Sequence, residues 1–274
     1  MNSPILITGC QRSGTTLLNL ILDSHPKIIG IDEMEFDKIP FNDYLTAPQF
    51  HPYVSFKLPT DSHRVQFIKN IPRLKVLWCI RDPRDVVFSM LNLKLYLDQD
   101  VAVPWAVHPF GSWREIDNCA KALINKMGPV LFDHYTAFKK MAQKHPKDWS
   151  LEQAVFTAAL CWRIKHEVLT LYKENNISHK ILNYENLITE PKETISNILF
   201  YIGLPWHDNV LKHHLLHTGT SVGNTINSRP IDSSNSGKWK KSFNAHLLYI
   251  INLLCSDIAE RYGYRLSAEV PKMG

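Results

Sequence analysis

The stretch Ile5-Leu6-Ile7-Thr8-Gly9-Cys10-Gln11-Arg12-Ser13-Gly14-Thr15-Thr16-Leu17-Leu18 decides the fold. A short β-type run over 5–8 meets a glycine-bounded turn, and a helical pattern follows over 14–23. Gly9 and Gly14 have the spacing of the phosphate-binding loop G-x-x-x-x-G-K-[ST], in which backbone N–H groups cradle phosphate oxygens. The helix that follows aims its positive dipole end at the same place. The lysine position of that loop is occupied by Thr15, with Thr16 after it, and the cation stands three residues earlier as Arg12. A nucleoside triphosphatase needs the lysine on the transferred phosphate and an Asp after a later strand to hold Mg²⁺. Here the later run, Val76-Leu77-Trp78-Cys79-Ile80, ends in Arg81. The loop reads as an anion site without an obligatory metal.

Outward from this turn, β-type runs at 53–57, 75–80 and 180–183 alternate with helical patterns at 83–97 and 191–202. Such alternation predicts an α/β fold, a mostly parallel sheet flanked by helices. Apolar residues recur at helical spacing over 151–172 and more strongly over 247–262, where Gly263 is a natural stop. The segment 101–149 is the least regular. It is expected to be a helical insertion in one domain spanning 1–274, either covering an acceptor or forming a plain helical lobe.

A second anion element begins at Arg81-Asp82-Pro83-Arg84-Asp85. Asp82 is expected to be the helix N-cap, Pro83 suits the first helical position, and Asp85 suits the first turn. That accounts for the Asp and Pro residues and leaves Arg81 unexplained. Ser89 lies two turns along, on nearly the face of the cap. An arginine at a strand's carboxyl end with a hydroxyl above it can bind a phosphate, and in parallel sheets ligands lie at those strand ends.

Two separated anion sites imply a nucleotide phosphorylated at both ends. At this point the chain resembles the sulfotransferases that use 3′-phosphoadenosine 5′-phosphosulfate. GCQRSGTTLL is similar to their 5′-phosphosulfate loop, and RDPRDVVFS, residues 81–89, to their 3′-phosphate element. The resemblance is widest with the branch that includes protein-tyrosine sulfotransferases. It is carried by RSGTTLLNLILDSHP at 12–26, Tyr184-Glu185-Asn186-Leu187 with Pro191, Gly203-Leu204-Pro205-Trp206, and Lys238-Trp239. The resemblance implies a phosphate-loop sulfotransferase fold and a sulfuryl donor that leaves as 3′-phosphoadenosine 5′-phosphate, with no metal. It implies donor binding by Gln11, Arg12, Ser13, Gly14, Thr15, Thr16, Arg81, Ser89, Tyr184, Lys238 and Trp239. Glu33 falls where that branch places the general base, and Lys57 where the family places a lysine on the departing oxygen. Arg12 and Ser228 are given supporting roles in charge stabilisation. In the related cytosolic enzymes the base is a histidine, for which His108 is the nearest candidate, ranked below Glu33. The tyrosine-modifying branch follows its base closely with an arginine that receives acidic peptides. Here Met34 and Glu35 follow instead, so a small-molecule, lipid or sugar hydroxyl is the expected acceptor.

Composition agrees with this reading. The 274 residues carry 31 Lys+Arg against 26 Asp+Glu, a formal +5, with 45% hydrophobic and 21% charged residues. These values exclude disorder and a disulfide-dense miniature. The five cysteines form no CxxC pair, which argues against a zinc ribbon and for reduced thiols in the cytoplasm. The amino terminus is not that of a signal peptide, and no apolar stretch is long enough for a membrane span. His213, His214 and His217 read as the polar face of a helix rather than a metal site. No basic stripe predicts nucleic-acid binding, and a homodimer is one expected assembly.

Overall fold

The computed structural model describes residues 3–33, 52–221 and 223–266. In chain order it begins with β1 (Ser3–Gly9), α1 (Thr15–Asp23), β2 (Ile28–Asp32), β3 (Tyr53–Lys57) and β4 (Lys75–Ile80). There follow α2 (Pro83–Asn92), the hairpin β5 (Lys94–Tyr96) and β6 (Ala102–Pro104), α3 (Arg114–Leu123) and α4 (Pro129–Met141). Next come α5 (Leu151–Glu167), α6 (Leu169–Glu174), β7 (His179–Asn183), α7 (Tyr184–Thr189) and α8 (Pro191–Ile202). A small hairpin, β8 (Thr220–Ser221) and β9 (Thr225–Ile226), and the long α9 (Ala245–Arg261) complete the described elements. The chain forms two compact units, one of residues 1–81 and 172–234, the other of 82–171 and 235–274.

The first unit is built on a five-stranded sheet in the order β2-β3-β1-β4-β7. Every pairing in it is parallel. β1 and β4 are central, and from their second residues onward both are buried on both faces. Their near-continuous apolar runs follow from that position, because a polar side chain on either face would lose water without a partner. One face packs Ile5, Ile7, Leu77 and Cys79 against Leu18, Ile21 and Leu22 of α1 and Ile195, Ile198 and Ile202 of α8. On the other face Trp78 meets the Tyr172 ring edge-on at 5.2 Å. The Tyr172 hydroxyl donates to the Ser62 carbonyl at 2.9 Å.

The second unit centres on α5, whose Val155, Ala158, Ala159 and Trp162 are fully buried. Its start is fixed by a capping box, the Ser150 side chain accepting from Gln153 N while the Gln153 side chain accepts from Ser150 N. Such a cap contributes about 1 kcal/mol. Inside the unit, Lys165 and Glu115 form an ion pair at 2.6 Å with side chains 0% and 1% exposed.

The strand runs read at 53–57, 75–80 and 180–183 are present, as are the helices expected at 191–202 and 247–262, with ends shifted by at most two residues. Three elements differ. The helical stretch read over 151–172 is broken at Val168 into α5 and α6. The helix expected to run to Leu97 stops at Asn92, Leu93 turns extended, and Lys94–Tyr96 pairs antiparallel with Ala102–Pro104. The leucines at 91, 93, 95 and 97 alternate with period two, which is a strand signal at the end of a helical one. β2 was not anticipated. Its sequence, IIGID, carries a glycine and an aspartate, both unfavourable in strands taken alone. Its partner β3 supplies the order.

Candidate functional site

Parallel strands deliver whatever follows them to one edge of the sheet. In the first unit that edge collects Gly9 to Thr16 after β1, Asp32 and Glu33 at the end of β2, Lys57 at the end of β3, Arg81 after β4, and Tyr184 after β7. Most of the residues singled out in the sequence therefore belong to one surface, although they come from five separate stretches of chain.

The loop is held by two tight approaches. Gly14 has φ +87°, and a Cβ there would overlap the Tyr184 ring. A side chain at that position would be both strained and in collision. Gly9 lies so close to the Cys79 carbonyl of β4 that a Cβ would strike backbone. Tyr184, 5% exposed, thus serves as a floor for the loop. Its ring also carries the Arg81 guanidinium at 4.5 Å, a cation–π contact. Burial raises the Tyr184 hydroxyl pKa, with Arg81 opposing.

Arg81 Nη1 donates to the Arg12 carbonyl at 3.0 Å, so the two arginines meet at the loop. Burial first, and the Arg81 charge second, pull the Arg12 guanidinium below its usual pKa. Like charges held together in a partly desolvated place favour an anion between or beside them. The polar groups of the loop agree. The Ser13 hydroxyl and both polar atoms of the Gln11 amide are buried and have no hydrogen-bond partner among the described residues. Buried polar groups are normally satisfied; a phosphate or sulfate oxygen would accept from the Ser13 hydroxyl and the Gln11 Nε2–H, while Gln11 Oε1 calls for a donor. The residues present therefore fit a bound polyanion.

At the opposite side of the loop, Lys57 Nζ lies 2.9 Å from Asp32 Oδ2, 3.2 Å from Glu33 Oε1 and 3.4 Å from Thr16 Oγ1. The register of β2 against β3 sets Asp32 directly beside Lys57. The lysine side chain is only 2% exposed, and the two carboxylates 17% and 20%. A cation, two carboxylates and the loop threonine thus share one corner. A carboxylate so placed can hold a proton, and an ammonium can stabilise a departing oxygen.

A model of the sulfotransferase domain family matches residues 2–262. The chain belongs to that family. It is therefore a transferase enzyme. Among solved structures, the sulfotransferase domain from the curacin biosynthetic pathway superposes with a TM-score of 0.56 at 14% identity over 99% of both chains. The sulfotransferase domain of the Synechococcus PCC 7002 olefin synthase gives 0.52 at 14% identity, over 96% of this chain and 95% of its own. At such identities the likeness is one of fold.

The remaining residues singled out in this sulfotransferase belong to other stretches of the chain. In the second unit, Asp82 caps α2 and accepts from Arg84 N at 2.8 Å, and Ser89 is half-buried two turns on. Asp85 does more than support the first turn. It is 1% exposed and accepts from Gly237 N at 2.7 Å and Lys238 N at 3.0 Å, tying the 237–241 turn to α2. Trp239 is buried, with the Arg84 guanidinium 4.0 Å over its ring. The Lys238 side chain is exposed and donates from Nζ to Asn235 Oδ1 at 2.7 Å. Arg84 escaped the sequence reading, and Asp85 was expected only to support the first turn.

His108 has both ring nitrogens engaged. Nδ1 accepts from Phe110 N at 3.1 Å, which puts the proton on Nε2, and Nε2 is 3.1 Å from the Tyr96 carbonyl. The ring is 4% exposed and works as a structural bridge, with no lone pair left to act as a base. Ser228 is exposed in the turn after β9. His213 is fully buried rather than on a polar helix face, its Nε2 3.1 Å from the Arg229 carbonyl. Met34 and Glu35, which bear on the acceptor, lie outside the described residues.

Proposed function

We propose that the enzyme transfers a sulfuryl group from 3′-phosphoadenosine 5′-phosphosulfate to an acceptor hydroxyl, with side-chain cations rather than a metal stabilising the charge. The observation that carries this reading is the meeting of Arg12 and Arg81 on a glycine loop whose Ser13 and Gln11 polar groups are buried without partners. The donor supplies an activated sulfur whose bond to the 5′-phosphate oxygen breaks as the acceptor oxygen bonds to it. The amides and side chains of residues 11–16 hold the 5′ end, and Arg81 supports the 3′-phosphate. By the sequence resemblance, Ser89, Lys238 and Trp239 join Arg81 in that task. Glu33 accepts the proton of the acceptor hydroxyl. Lys57 releases its carboxylates and stabilises the oxygen left on phosphate, assisted by Arg12, with Ser228 in a supporting role. A phosphotransferase reading is opposed by Thr15 in the lysine position and Arg81 in that of the metal aspartate.

The acceptor class we favour is a small-molecule, lipid or sugar hydroxyl, because the acidic run Asp32-Glu33-Met34-Glu35 would repel an acidic peptide. All five cysteines are free and buried, which supports a cytoplasmic setting. Calorimetry without Mg²⁺ tests the donor. 3′-Phosphoadenosine 5′-phosphate should bind at least about tenfold more tightly than ATP or 5′-AMP, and Arg81→Ala should erase that preference. Equal affinities in the parent enzyme would refute the reading.

A further inference from the structure

The second unit contains a cavity of about 330 Å³ whose lining includes none of the residues assigned above to the donor or the transfer. Its walls come from the end of α2, the β5–β6 hairpin, the single turn 105–107 that follows it and the start of α5: Leu91, Val103, Val107, Leu151 and Ala154. The volume is at the lower end of small-ligand pockets, about 300–1,000 Å³. Apolar walls alone would suit any oily group, but the polar part of the lining is one-sided. It includes Lys94 and Lys147 and no carboxylate. Asp98, Asp100, Asp148 and Glu152, the acids of the adjoining segments, are all absent from the lining. Neither lysine has an ion-pair partner among the described residues, and both are exposed. Trp149 also lines the cavity, and its Nε1–H is buried with no acceptor among the described residues. An indole N–H in that state lacks an oxygen.

We infer that this cavity binds a medium-chain amphiphile with an anionic head, of which a fatty carboxylate is the simplest form. The chain would lie against the leucine and valine walls. The carboxylate would take the Trp149 N–H and the field of Lys94 and Lys147. Long stems let both ammonium groups follow the head while their methylenes cover the chain. The cavity size favours about ten carbons over a membrane lipid with two tails. This inference does not rest on the donor assignment, since none of the lining residues is assigned to the donor.

The test is a titration of the full chain with decanoate, decyltrimethylammonium and decanol, followed by calorimetry with no nucleotide present. Decanoate should bind once per chain below its micellar range, about tenfold more tightly than the cationic amphiphile. The double charge reversal Lys94→Glu with Lys147→Glu alters only exposed positions. It should weaken decanoate about tenfold and leave decanol within about twofold. Trp149→Phe keeps the ring and removes the N–H, so decanoate binding should fall severalfold at unchanged melting temperature. Absence of saturable decanoate binding, equal affinity for the cationic amphiphile, or an unaffected charge-reversed variant would each overturn the assignment.

Discussion

Lys57 is held by two carboxylates, and that arrangement makes a quantitative prediction. Unit charges about 4 Å apart attract by about 4 kcal/mol at an effective dielectric near 20. Pairs at 2.9 and 3.2 Å are gross attractions of about 5 kcal/mol each, most of which is offset by desolvation of the groups. A net of about 1–1.5 kcal/mol per carboxylate is the reasonable scale for ions this buried. On the proposed function, an incoming nucleotide phosphate would compete with both carboxylates for the same ammonium. Asp32→Asn removes one competitor while Glu33 still pairs with the lysine, so the fold should hold. Affinity for 3′-phosphoadenosine 5′-phosphate should then tighten about five- to tenfold. Glu33→Gln should tighten it similarly yet lower turnover by about 10²–10⁴, the usual contribution of a positioned base, whereas Asp32→Asn keeps turnover within severalfold. Calorimetry and single-turnover assays with labelled donor separate the two effects. Weaker nucleotide binding in Asp32→Asn, or equal turnover loss in both variants, would refute the competition argument and the role given to Glu33.

Three further outcomes follow from the geometry. Gly14→Ala adds a Cβ at φ +87° against the Tyr184 ring. It should cost about 2–3 kcal/mol in urea unfolding and abolish measurable nucleotide binding. Burial lowers the His213 pKa to about 4, so the folded protein holds it neutral where the unfolded chain would protonate it. Stability from this residue is present above about pH 6.5 and is lost as pH falls toward 4, by about 1–2 kcal/mol at pH 5. Denaturant titrations at pH 7 and 5 should show that loss, and His213→Gln should flatten it. Glu115→Gln leaves the Lys165 ammonium buried without its charge partner and should destabilise by about 3–5 kcal/mol. A joint Glu115→Leu, Lys165→Met replacement should recover most of it.

What could be read in the chain beforehand was whatever is local. β1 and β4 announce themselves as apolar runs because central parallel strands are buried on both faces. The loop announces itself because Gly9 and Gly14 sit at a fixed short spacing. Asp82 and Pro83 mark a helix start by side-chain chemistry alone. What could not be read depends on register. Asp32 faces Lys57 only because β2 aligns with β3, and the intervening sequence carries no sign of it. Asp85 meets the amides of Gly237 and Lys238 across about 150 residues. Its position in a first helical turn gave a sufficient local explanation that hid the distant one. The engagement of both His108 nitrogens is likewise a tertiary fact, and it withdraws a residue that sequence position alone had promoted.

The discontinuity of the first unit has a consequence in time. Its sheet starts with residues 1–81, but β7 and the Tyr184 floor belong to the stretch from 172 onward. About a hundred residues must leave the ribosome between Arg81 and Tyr184, which at about 5–20 residues per second takes roughly 5–20 s. During that interval the loop has its glycines and both arginines but no ring beneath Gly14, and β4 has an open edge where β7 will pair. The growing chain would then be most prone to misassociation while β4 stands unpaired. If the proposed function holds, competence to hold a nucleotide would arrive late in synthesis, although the loop and both arginines are among the first residues to be made.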